Sequence, residues 1–149
     1  MEKDKKALRE MRAKIDKDFE DEQSKLFAKW NVSFVFGQKQ IDEYIRQQRT
    51  KGYEGEITGF NFICPGMVGR LEGAKDFISE LVAFHKKWKT AKRNAWTMDT
   101  YIEHQLWDHE CFYTGDYLDG NMTNEVRYYF PEATDEDFYR VYNEVRTRA

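Results

Sequence analysis

At 149 residues and 17.9 kDa the chain has the length of one domain, and its 40% hydrophobic and 16% aromatic content is too high for a disordered segment. The net charge of −3 conceals a polarised chain: residues 70–96 carry seven cations and three acids, whereas from Thr97 onward twelve acids accompany four arginines and no lysine. An acidic half of that size repels phosphate backbones, which argues against general nucleic-acid binding, and no window approaches the ~20 apolar residues of a membrane span.

Residues 4–29 read as one long amphipathic helix. Leu8, Met11, Ile15, Phe19, Leu26 and Trp30 recur at steps of three, four and seven, so they share a stripe among Lys, Asp and Glu. The stripe is thin at its start, and residues 1–30 are expected to project from the body or to support oligomerisation. The same segment has no apolar run of the kind a secretory signal needs. Cys64 and Cys111 are therefore read as free thiols in a reducing cytoplasm.

Val32 to Phe36 has the β-branched and aromatic content of a short strand, which Gly37 ends. Ile41, Tyr44, Ile45 and Gln48 mark a short helix, and residues 51–55 a turn-rich loop. A second strand is expected from Glu56 to Cys64, with Phe60, Phe62 and Cys64 on one face. The Cys64 to Gly69 turn then opens a long helix over Arg70–Lys92, whose wide apolar face (Leu71, Phe77, Leu81, Val82, Phe84, Trp88) places it at the centre of the core. That turn lacks the Lys-Ser/Thr of a P-loop, and reads as a plain strand-to-helix connection able at most to cradle an anion.

Thr97 suits the N-cap of a helix from Met98 to about Glu110, with Tyr101, Ile102, Leu106 and His109 facing inward. A loop from Cys111 to Gly120 leads to a short helix around Met122–Phe130, which Pro131 breaks. Thr134 and Asp137 resemble a capping box for a last helix carrying Phe138, Val141, Tyr142 and Val145 inward. The expected fold is a single α+β domain over residues 1–149, with about five helices and a small sheet of two or three strands.

Two constellations carry candidate chemistry. The first is His109, Glu110 and Asp116: a histidine beside carboxylates titrates near neutrality, as general acid–base catalysis requires. A plainer reading makes His109 a cap at the end of its helix. His104 and Asp108 share a helical face at i,i+4 and are the candidate metal ligands. His104 and His109, about 140° apart on a helix, cannot ligate together, so no zincin-type site is expected, and no cofactor. The second is Lys86, Lys89, Lys92 and Arg93 with Trp88 and Trp96, where cations beside aromatic faces suit a nucleotide.

Phe34-Val35-Phe36-Gly37-Gln38-Lys39-Gln40-Ile41-Asp42-Glu43, Tyr101 to Glu110 and Tyr113-Thr114-Gly115-Asp116-Tyr117 together resemble a family of small phage and prophage proteins classed as a numbered domain of unknown function. Asp135–Val145 matches its closing helix in character. The resemblance spans residues 32–145, covers the N-terminal helix poorly, and departs at Asp108, where that family has Asn. It implies a phage setting and draws attention to His109, Glu110 and Asp116.

The leading expectation is a phage-encoded, non-enzymatic binding protein in the host cytoplasm, inhibiting a defence or regulatory component. Its partner would be a host protein or a nucleotide messenger, and the acidic half can present itself to a basic host protein as nucleic acid does. The alternatives are a His/carboxylate hydrolase, metal-dependent or not, and a structural phage component that assembles through residues 4–29.

Overall fold

The computed structural model describes residues 2–148. In chain order the elements are α1 (Glu2–Trp30), β1 (Ser33–Phe34), α2 (Gln38–Thr50), β2 (Ile57–Gly59), β3 (Met67–Arg70), α3 (Ala74–Ala95), α4 (Met98–Asp108), α5 (Cys111–Thr114), α6 (Gly120–Tyr129) and α7 (Asp135–Arg148). The fold is α+β and mostly helical, with a three-stranded antiparallel sheet in the order β1-β3-β2. Seven helices are present among the described residues. The four-residue α5 lies inside the segment that reads from sequence as a loop. Two compact units are formed, one from Asp16–Lys86 and the other from Met1–Ile15 with Lys87–Ala149.

The Asp16–Lys86 unit contains the sheet. Met67 and Val68 pair with Phe34 and Ser33, and Val68 to Arg70 pair with Gly59 to Ile57. The sequence places no strand at 67–70, and the expected strand to Cys64 stops at Gly59. The cause is the turn chemistry: the N–H groups of Ile63 and Cys64 both donate to the Phe60 carbonyl, and Gly66 N–H donates to Asn61 Oδ1. Gly66 sits at φ +82°, where a Cβ would lie 2.7 Å from the Val35 carbonyl oxygen, so only glycine lets the chain reverse this close to its neighbour. Phe60 is consequently buried and Phe62 is 75% exposed, which breaks the expected alternation. The Cys64–Gly69 segment is thus not a strand-to-helix connection, because Met67–Arg70 is the central strand of the sheet and α3 begins only at Ala74.

Helix α3 starts four residues later than expected, after Gly73. Gly73 has φ +82°, and a Cβ there would meet the Trp30 ring at 2.5 Å. Leu71 thus lies outside the helix and is half exposed, and Val82 is 62% exposed, so the buried stripe is the narrower Phe77, Leu81 and Phe84. Phe27, Phe60 and Phe77 pack edge to face or tilted, with centroids 5.3–5.9 Å apart, and Phe19 stacks on Phe84 at 5.0 Å. Buried Gln48 accepts from Arg70 Nε at 2.8 Å, which satisfies both groups.

The other unit is built around α4. Thr97 caps it through a reciprocal bond with Thr100, and Tyr101, Ile102 and Leu106 are fully buried against α6 and α7. Cys111, Met122, Val126, Phe138 and Val141 complete that core. Asp119 caps α6 through Met122 N–H, and the Thr134–Asp137 box opens α7 as the sequence indicates. In α1, Arg12 donates to the Ala95 carbonyl and lies 3.5 Å over the Trp96 ring. No residue of α1 is buried, and Leu8 and Met11 are partly exposed.

Two stability outcomes follow. Leu106→Ala is expected to cost about 2–5 kcal/mol in urea unfolding, whereas Leu71→Ala stays within about 0.5 kcal/mol. Arg140 forks onto both oxygens of Asp99 at 2.8 Å, tying α7 to α4, and this bond holds the Asp99 carboxyl below its ordinary range. A depressed carboxyl contributes stability above its unfolded pKa and loses it as pH falls through the folded one. Asp99→Asn should therefore destabilise at neutral pH, with the gap to the native chain closing below about pH 4; a gap independent of pH would contradict the ion pair.

Candidate functional site

His109 is the C-cap of α4 rather than an inward-facing residue, and is about one-third exposed. Its Nδ1 is 3.9 Å from Asp119 Oδ2, an oxygen already accepting from Met122 N–H at 2.9 Å. Glu110 follows in the left-handed region at φ 56°, which turns the chain from α4 into α5. Asp116 Oδ1 accepts from Leu118 N–H. His109 and Glu110 thus form the α4–α5 connection, where His109 meets Asp119, whereas Asp116 serves a local turn beyond α5.

Cys111 lies behind this connection with no exposed surface. Burial, followed by the charges of Asp119 and Asp116, pushes its thiol up, the opposite of what a nucleophilic cysteine needs. His104 Nε2 and Asp108 Oδ2 do meet, at 3.5 Å. No group of three or more His, Cys, Asp or Glu able to hold a metal ion occurs among the described residues.

The basic segment is folded against aromatic rings of its own unit. Lys89 lies 5.4 Å over Tyr128, Lys92 lies 4.8 Å over Tyr129 and 5.4 Å over Tyr101, and Arg93 lies 4.9 Å over Phe130. Arg93 also grips both oxygens of Glu132, which raises its own pKa and lowers that of Glu132. Lys87 covers Trp88 at 5.0 Å, and Trp96 has Arg12 on it. Lys86 is exposed on α3, at the end of the other unit. The cation–aromatic pairing expected for a ligand is largely internal.

A second aromatic feature was not apparent from sequence. Trp107, Phe112, Tyr142, Tyr117 and Tyr139 form a continuous run, with successive centroids 4.4, 5.4, 5.3 and 5.4 Å apart. Trp107 and Tyr139 are half exposed, and Tyr113, next to Phe112, is 84% exposed. These residues come from α4, α5, the following loop and α7, so no single helical period reveals them. The density of Tyr and Trp between 107 and 142 was the available signal.

A family model described as Family of unknown function (DUF7659) matches residues 4–140. The chain belongs to that family. No curated protein and no solved structure matches it. The DUF7659 match begins inside α1, so it takes in the N-terminal helix that the motif resemblance covered poorly. It also contains the whole α4–α5 connection and every ring of the aromatic run except Tyr142, which lies beyond residue 140. No helix among the described residues is long and apolar enough to cross a membrane.

The two thiols of this DUF7659 protein should separate in reactivity. Both are free, Cys64 partly exposed and Cys111 buried. An aromatic disulfide reagent is expected to modify Cys64 alone in the native protein and both only after unfolding. Rapid native modification of Cys111 would show that the α4–α5 connection opens.

Proposed function

We propose that the protein is a non-catalytic binding protein that engages a protein partner through the exposed aromatic run of α4, α5 and α7. The observation that supports this reading is the run itself. Half-exposed Trp and Tyr rings, backed by a core in which Tyr101, Ile102 and Leu106 are fully buried, are the side chains that anchor interfaces. Large rigid rings lose little conformational freedom on docking, so such a surface binds without first having to order itself. The nucleotide-messenger reading has less support, since the rings beside the basic segment already carry cations.

The proposed setting is the cytoplasm of a phage-infected host, where the protein would inhibit a defence or regulatory component. Its support is the motif resemblance at Phe34–Glu43 and Tyr101–Tyr117. The hydrolase reading has a specific cost: Asp119, the carboxylate nearest His109, is occupied as an N-cap.

A photo-crosslinking residue placed at Tyr113 or Tyr139 is expected to capture a discrete protein in infected-cell extract, whereas one at Phe62, in the other unit, is not. Absence of any adduct at Tyr113 and Tyr139, together with substrate turnover abolished by His109→Ala in a folded variant, would overturn the proposal.

A further inference from the structure

We propose that the surface formed by Trp107, Phe112, Tyr117 and Tyr139 takes an arginine- or lysine-rich segment of its partner. The inference rests on the binding reading above and adds the chemistry of the occupant.

Two sets of rings in one unit differ in what covers them. Tyr128, Tyr129, Phe130, Phe138 and Trp96 each have a lysine or arginine over the ring at 3.5–5.4 Å. Among the described residues no cation covers Trp107, Phe112, Tyr113, Tyr117 or Tyr139. The electron-rich faces of aromatic rings attract guanidinium and ammonium groups. One set of rings has that demand met internally, and the other does not.

Charge points the same way. The four arginines beyond Thr97 are committed: Arg127 to Asp135, Arg140 to Asp99, Arg148 to Glu103, and Arg146 to Asn143. Glu110, Asp116 and Glu136 are exposed and enter no ion pair among the described residues. Glu110 and Asp116 flank Phe112 and Tyr117 in the chain, and Glu136 lies one helical turn before Tyr139. Acids interleaved with uncovered rings are complementary to cations carried on apolar stems.

The chain itself offers an example. Arg146 places its guanidinium 5.4 Å from the Tyr142 ring centroid, and Tyr142 is the middle ring of the run. An arginine from this chain thus already lies over one ring of the run.

The test is fluorescence anisotropy with short labelled peptides of alternating Arg and Gly, Lys and Gly, or Glu and Gly, on the full-length protein. The cationic peptides are expected to bind and the acidic one not, with affinity falling as salt rises. Trp107→Ala and Tyr139→Ala should each weaken binding about tenfold. The triple variant Glu110→Gln, Asp116→Asn, Glu136→Gln should weaken it and flatten the salt dependence, while Lys89→Ala should leave it unchanged. All these positions are exposed or partly exposed, and unchanged melting curves will exclude unfolding. Equal binding of the acidic peptide, or cationic binding indifferent to both aromatic substitutions, overturns the proposal. So does a homodimer in solution that Trp107→Ala dissociates, since a second copy would then cover the face. If Tyr139 crosslinks a partner while no cationic peptide binds, the occupant's chemistry is wrong and the binding reading stands. If neither occurs, both fail.

Discussion

The C-terminal unit depends on one face of α4 losing all contact with water. Tyr101, Ile102 and Leu106 have no exposed surface, and α6 and α7 both close upon them. Burying three such side chains stabilises by roughly 1.5–3 kcal/mol each, more than any surface ion pair supplies. The Tyr101 hydroxyl escapes the cost of burial by donating to Glu125 at 2.9 Å. With its inner face fixed, α4 must direct Trp107 and Asp108 outward. Its C-cap at His109 and the left-handed Glu110 then turn Cys111 inward and leave Phe112 against Trp107. The aromatic run is thus a consequence of how the core is packed.

Electrostatics divide the surface of that unit into satisfied and unsatisfied regions. In the basic segment Lys87, Lys89, Lys92 and Arg93 each lie over a ring, and Arg93 also has Glu132. Around α5 and the start of α7, carboxylates and rings outnumber cations, because the sequence places twelve acids against four arginines after Thr97. The proposed binding activity belongs to the second region. It requires no catalytic geometry, and it accounts for a histidine and an aspartate whose contacts are with caps and turns.

Elements with a strong period were legible in the sequence. The α1 helix, the Tyr44 and Gln48 face of α2, the Thr97 cap and the Thr134–Asp137 box are legible because each is a local pattern. What was missed depends on distant groups. The sequence shows a turn before β3 because of Pro65-Gly66, and the strand's identity comes from pairing with β1 and β2 on either side. Leu71 and Val82 looked like core residues because the apolar pattern continues through them, but Gly73 starts the helix late and the stripe is narrower. Among candidate site residues, His109, Glu110 and Asp116 were found as neighbours in sequence. The Trp107 to Tyr139 run, assembled from four segments, could only be seen folded.

In the proposed binding mode the partner occupies the uncovered rings rather than the basic segment. An NMR titration with an arginine-rich peptide tests this most directly, following ring and amide signals across the chain. That mode predicts shifts confined to Trp107, Phe112, Tyr113, Tyr117 and Tyr139 and to the backbone around Glu110 and Glu136. Shifts centred on Lys86–Arg93 and Tyr128, or spread evenly over every acidic residue, would contradict it.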